Sequence, residues 1–145
     1  SVRTDDPRVV GTGDATVFRV TTGAYYTVTP CRAIDTRDPS GPLGGPALSA
    51  QADRTFTVAG ACGIPADATA ISVNLAVTGP INAGNLRLHA GGSVVPLVSS
   101  INYAAGQTRS NNAVVSLSVS GEIGVFADQA TGGVHLILDV NGYFK

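Results

Sequence analysis

Apolar and polar residues alternate with a period of two through most of the chain. The alternation is longest at the end, where Val134, Leu136, Leu138 and Val140 fall on one side and His135, Ile137, Asp139 and Asn141 on the other. Successive side chains of a strand point to opposite faces, so Gly133–Phe144 is predicted as a long strand with one wholly apolar face. Ala68–Thr78 repeats the pattern, with Ile71, Val73, Leu75 and Val77 set against Ser72, Asn74, Ala76 and Thr78. Shorter candidates are Ala15–Val20, Tyr25–Thr29 and Arg54–Ala59, the last with Phe56 and Val58 on one face. Asn85–His89 follows, with Leu86 and Leu88 inward and Arg87 and His89 outward. Val94–Tyr103 contains Pro96 and reads as an edge strand. Asn112–Ser120 aligns Val115, Leu117 and Val119, and Glu122–Ala127 turns Ile123 and Val125 inward.

Gly and Pro gather between these runs, where turns require them. Pro30–Cys31 reads as the end of a strand. Cys31–Pro46 then carries three Pro and three Gly and is predicted to be irregular. Loops this long in compact domains are usually functional or stapled down. No stretch shows helical spacing over three turns. About nine short strands with turn signals every ~8–12 residues predict an all-β fold, an antiparallel β-sandwich that is jelly-roll-like. One domain is expected over 15–145. Before it, 1–14 reads as an extended arm that needs a docking surface on its own domain or on a neighbouring copy.

Composition narrows the function classes. Apolar residues make up 43% of the 145, enough for a core, whereas charged residues are 13%, about half the usual ~25%. Net charge is -1 with no basic run, which argues against nucleic acid and anionic membrane as partners, because both need clustered Lys and Arg. No apolar run reaches the ~18 residues of a membrane span, so no membrane insertion is expected. Cys31 and Cys62 are the only cysteines and neither has metal-ligand spacing around it. A disulfide is the economical reading, with two buried thiols as the alternative. The chain lacks Met and opens at Ser1, which reads as a processed mature form. Together these features predict a secreted, extracellular or cell-surface protein.

Three stretches occur in a distinctive order. Pro30-Cys31-Arg32 is followed by Asp35-Thr36-Arg37, then by Cys62-Gly63-Ile64-Pro65. Last come Ala105–Asn112 and Val134–Phe144, the latter ending Asp139-Val140-Asn141-Gly142-Tyr143-Phe144. From Tyr25 to Phe144 the chain resembles a β-rich module that recurs, singly or in tandem, in secreted and surface proteins of several bacterial groups. It is often appended to hydrolases or adhesin-like chains. The resemblance implies an extracellular accessory or structural role and carries no active site with it.

Two polar clusters are candidate ligand sites. Asp35, Arg37 and Asp38 could grip sugar hydroxyls, or Asp35 and Asp38 could hold Ca²⁺ with loop carbonyls. The competing reading is a loop clamp, in which Asp35 caps backbone N–H groups and Arg37 pairs with a carboxylate. Gln107, Arg109 and Asn111 form a polar rim, or else a loop that satisfies its own backbone; a pairing of Arg109 with Asp139 is one expectation. Tyr103 joins the list as a stacking surface for a sugar, with Tyr25, Tyr26 and Tyr143 beside it, although the absence of Trp weakens that idea. His89 and His135 lack a nucleophile turn or a ligand at metal spacing, so the chain reads as non-catalytic and without a resident cofactor. Outward strand positions such as Ala76, Val114 and Ile137 carry little charge to guard against pairing with another copy. A homo-oligomer or polymer is therefore expected, with a carbohydrate-binding module as the alternative.

Overall fold

The computed structural model describes residues 23–145; the expected arm and the Ala15–Val20 strand lie outside them. Nine strands form: β1 (Tyr25–Asp35), β2 (Leu48–Ser49), β3 (Ala52–Thr57), β4 (Ala70–Thr78), β5 (Gly84–Ala90), β6 (Ile101–Tyr103), β7 (Arg109–Ser116), β8 (Glu122–Gln129) and β9 (Gly133–Phe144). They build two antiparallel sheets, ordered β1-β9-β4-β7 and β3-β8-β5-β6, with β2 pairing the start of β9.

The connectivity is that of a rolled hairpin. β1 pairs with β9, β3 with β8, β4 with β7 and β5 with β6, nested around a tip at the β5–β6 turn. Rolling this ribbon brings β4 against β9 and β5 against β8. A five-stranded and a four-stranded sheet joined in this way make a jelly roll.

The core lies between the sheets and follows the alternation. Ile71, Val73, Leu75 and Val77 of β4 are buried, as are Val134, Leu136, Leu138 and Val140 of β9. Phe56, Ile123, Val125 and Leu86 face them from the other sheet. β9 is the longest strand, as its pattern predicted.

Several expectations change. β1 does not stop at Pro30 but runs to Asp35, with its register against β9 shifting between Thr27 and Cys31. Pro30 is tolerated because β1 is an edge strand and the missing N–H falls at the irregularity. The irregular segment therefore begins at Thr36, and β2 emerges from its far end. Of Val94–Tyr103 only Ile101–Tyr103 is strand, and Val94 and Leu97 are 91% and 93% exposed. β7 ends at Ser116, so Val119 is fully exposed rather than aligned with Val115. His89 does point away from the core, yet it is buried. Its ring lies where a Cβ on Gly124 would sit, and the β5–β6 turn covers it.

Cys31 and Cys62 form the disulfide. Cys62 lies in the turn after β3 at φ 54, a left-handed conformation that non-glycine residues rarely adopt, and Cys31 lies opposite Val140 of β9. The bridge therefore ties the middle of β1 to the far turn of the sandwich.

Candidate functional site

The first polar cluster is a strand lock. Both oxygens of the Asp35 carboxylate are taken by Arg37, whose Nε donates to Oδ1 at 2.9 Å and Nη2 to Oδ2 at 2.8 Å, while the Arg37 backbone N–H adds a third bond at 3.0 Å. Buried Thr36 stands in for the backbone: its Oγ1 accepts from the Leu136 N–H at 2.9 Å and lies 3.0 Å from His135 Nδ1. Arg32 makes a two-pronged pair with Asp139 at 2.9 and 3.2 Å. Asp139 is thus paired with Arg32, not with Arg109 as the sequence suggested, because β1 and not β7 lies beside β9. Residues 32–37 and His135 with Asp139 belong to separate motifs, and the fold uses them to fasten β1 to β9. This is the clamp reading of the cluster, and it leaves Asp35 no free oxygen to offer a cation. Among the described residues no group of three or more His, Cys, Asp or Glu is placed to hold a metal.

The lock has a pH signature. Hydrogen bonds from Arg37, above all, hold the Asp35 carboxyl at about 2, below its ordinary 3.8. A depressed folded-state pKa contributes stability above the ordinary value, which is lost as pH falls through the folded one. Asp35→Asn is expected to cost about 1–2 kcal/mol at pH 7, a figure reduced for the half-exposed Arg37. That deficit relative to the parent should close between about pH 4 and pH 2. Urea unfolding at both ends of the window checks this; a deficit that persists at pH 2 rejects the ion pair as its source.

Arg54 went unnoticed in the sequence and organises the loop after the lock. It shares the inward face of β3 with Phe56 and lies over that ring, 4.5 Å from its centroid. Its guanidinium donates to the carbonyls of Pro46 at 2.7 Å, Gly44 at 2.8 Å and Gly41 at 3.1 Å. Gly45 is required there because an added Cβ would stand 2.6 Å from the Asp38 carbonyl oxygen. No local pattern marks Arg54, since its acceptors are backbone carbonyls, which every residue type carries alike.

A second hidden group is the row Asp53, His89 and Ser93. His89 Nε2 lies 2.9 Å from Asp53 Oδ1, and Nδ1 lies 3.0 Å from Ser93 Oγ. The composition is that of a nucleophile relay. Here, however, Ser93 Oγ donates to the Ala90 carbonyl at 2.8 Å, and His89 Nδ1 lies 2.8 Å from the same oxygen. Both side chains lie against that one carbonyl oxygen in the 90–93 turn.

The tyrosines divide: Tyr103 is inside, whereas Tyr25 and Tyr26 remain 46% and 41% exposed. Tyr103 is buried, its hydroxyl donates to Gln129 Oε1 at 2.8 Å, and burial with the nearby Asp128 charge pushes its pKa up to about 12. It offers no stacking surface, which corrects its place among the ligand residues. Tyr26 stacks on Tyr143 and Tyr25 tilts against Phe144, across the β1/β9 pair.

The remaining candidates lie at the opposite edge of the first sheet. Gln107 Oε1 accepts from the Ala104 N–H at 2.9 Å and closes the β6–β7 turn. Asn111 donates to the Ser100 carbonyl at 2.9 Å, and Arg109 reaches the Asn102 carbonyl at 3.4 Å. Both line a shallow cleft of about 200 Å³ between β6 and β7. β1 and β7 are three strand spacings apart, roughly 14 Å, so the two polar clusters do not form one site.

Between those edges lies the outer face of the first sheet. Register aligns Ala76 with Ile137 and Ser110, Asn74 with Asp139 and Asn112, and Ser72 with Gly142 and Val114. The face is built of small, mostly neutral side chains, and Arg32 neutralises Asp139 on it.

No family model and no curated protein matches this chain. Solved structures do. One is the coat protein of Tobacco streak virus in a C2 crystal form: TM-score 0.45, 12% identity, covering 90% of this chain and 91% of that one. Another is the coat protein dimer of the same virus: TM-score 0.36, 10% identity, covering 86% and 90%. Likenesses this distant carry no conclusion about activity or assembly. The exclusion of nucleic acid as a partner does not stand on charge alone. That exclusion rested on net charge, which is a sum over the chain and is blind to where the fold places individual arginines.

Proposed function

We propose that this chain is a non-catalytic structural or adhesive module of an extracellular or cell-surface assembly, and that copies of it associate. The observation that carries the reading is the outer face of the first sheet, a surface of Ser, Thr, Asn and Ala with Ile137 and Val114 among them and with Asp139 already paired to Arg32. Such a face is desolvated at low cost and has no net charge to repel a second copy. The disulfide supports an oxidising compartment. The resemblance to modules of bacterial secreted and surface proteins implies the same role. A carbohydrate-binding reading has a smaller base, because only Arg109 and Asn111 of its proposed residues share a cleft. Light scattering at micromolar to millimolar concentration tests the proposal. A mass that rises to a dimer or beyond is expected; a monomer across the whole range rejects self-association.

A further inference from the structure

The two sheets have four edges, and three of them are guarded. β1 has Pro30, two register shifts and the charged residues Arg32 and Asp35. β3 carries Asp53 and Arg54. β6 is three residues long, and the side chains of Arg109 and Asn111 lie on the carbonyls of Asn102 and Ser100 beside it. These are the usual devices against edge-to-edge pairing. β7 has none of them. It runs for eight residues, Arg-Ser-Asn-Asn-Ala-Val-Val-Ser, in unbroken register with β4, without Pro, bulge or acid, and its one charge is at the first position.

The hydrogen-bond phase identifies its open groups. The Leu117 N–H donates to the Thr69 carbonyl, one step beyond the Ala70–Ser116 pair. Antiparallel bonds alternate, so the odd residues back to Arg109 face β4. Ser110, Asn112, Val114 and Ser116 therefore direct their N–H and C=O groups away from the sheet. All four are exposed, Val114 by 64%, and among the described residues no strand pairs with them.

We infer that β7 is a self-pairing edge that joins two copies of this chain into one continuous sheet across a two-fold axis. The inference rests on the self-association proposed above but places the dimer contact at the rim of that outer face, leaving the face itself open to further copies. The sequence of the edge selects the register. If Ser110 pairs with Ser116 and Asn112 with Val114 of the second copy, every open N–H and C=O on the edge is satisfied and the axis passes through Ala113. That central pair is a non-hydrogen-bonded one, where Cα atoms approach to about 4.5 Å, and a small side chain suits it. The two Arg109 residues lie roughly 25 Å apart, at ~3.4 Å per residue, and so do not repel. A foreign extended peptide would gain the ladder but not this symmetry.

Hydrogen exchange across a concentration series, read beside light scattering, tests the inference. The amides of Ser110, Asn112, Val114 and Ser116 are expected to exchange freely in dilute protein and to become protected as the dimer forms. Asn112→Pro removes one outward N–H, and Val114→Lys places a charge on the edge; each is expected to weaken association by roughly tenfold or more. Both positions are exposed, and circular dichroism verifies that each variant stays folded. Ala76→Lys, at the centre of the sheet face, is expected to leave the dimer intact. If the parent stays monomeric, self-association and the edge pairing both fall. If the parent dimerises but only Ala76→Lys dissociates it, self-association stands and the edge inference falls. Amides protected even in the dilute monomer would mean that another part of the same chain covers β7, which also overturns it.

Discussion

Replacing Cys31 and Cys62 by serine is expected to lower the unfolding free energy by about 3–4 kcal/mol. The bridge spans 31 residues, and cross-linking a loop of that length removes chain entropy from the unfolded state. In the native state it fixes two otherwise weak points. Cys31 follows the Pro30 irregularity of β1, and Cys62 keeps a left-handed backbone between Gly60 and Gly63, which are also left-handed. Without the bond, the Cys62 conformation is left to the turn hydrogen bonds from Gly60 N–H to the Ile64 carbonyl, from Ala61 N–H to the Val58 carbonyl and from Ile64 N–H to the Ala61 carbonyl. Urea unfolding of the double variant should show a lower midpoint and a steeper m-value, since a chain freed of its cross-link exposes more surface. A loss below ~1 kcal/mol would show that the unfolded chain is compact enough without the bridge for it to matter little.

Phe56→Ala is expected to cost about 3–5 kcal/mol, as large-to-small changes at fully buried aromatics do. Phe56 is 0% exposed, pairs across β3/β8 with Ile123, and lies among the largest side chains of the core. It is also the floor on which the Arg54 guanidinium rests. Burial already disfavours the charge on Arg54, lowering its pKa, and its partners are carbonyls rather than a carboxylate. Truncating the ring thus opens a cavity and loosens the 41–46 loop together. Phe56→Leu, which keeps most of the volume, should cost about 1–2 kcal/mol. The amides of Gly41 and Gly45 should exchange faster in the alanine variant and near parental rates in the leucine one. If Phe56→Ala destabilises the core but leaves those amides protected, Arg54 holds the loop without help from the ring.

The strands with clean alternation, β4 and β9, were legible from the chain because burying one sheet face imposes a local period of two. β1 was cut short because Pro30 normally ends a strand, and only its placement at an edge, beside a register shift, lets the strand continue. β2 is two residues long, too short for any period to show. The polar clusters were visible as clusters, but their roles were not. Asp35, Thr36 and Arg37 read as a clamp ahead of a ligand site, but what they clamp shows only with β9 set beside β1, which brings His135 and Asp139 within reach. Tyr103 is a stacking candidate in the sequence as one of four tyrosines in a chain without Trp, and its hydrogen bond to Gln129 is a contact across 26 positions.

Sheet-forming segments, turns, core positions, the disulfide pair and the neutral character of the surface are properties of short windows or of composition, and they stand in the chain itself. Which strands become edges is different. The pairing of β1 with β9 and of β4 with β7 joins residues far apart in the chain, and no local pattern encodes partner order. That order turned Arg32 toward Asp139, put Arg109 and Asn111 over β6, and left the β7 ladder without a partner strand among the described residues. A strand's backbone groups are identical whether it is central or peripheral, so only the tertiary arrangement decides whether they are satisfied within the molecule or presented to another.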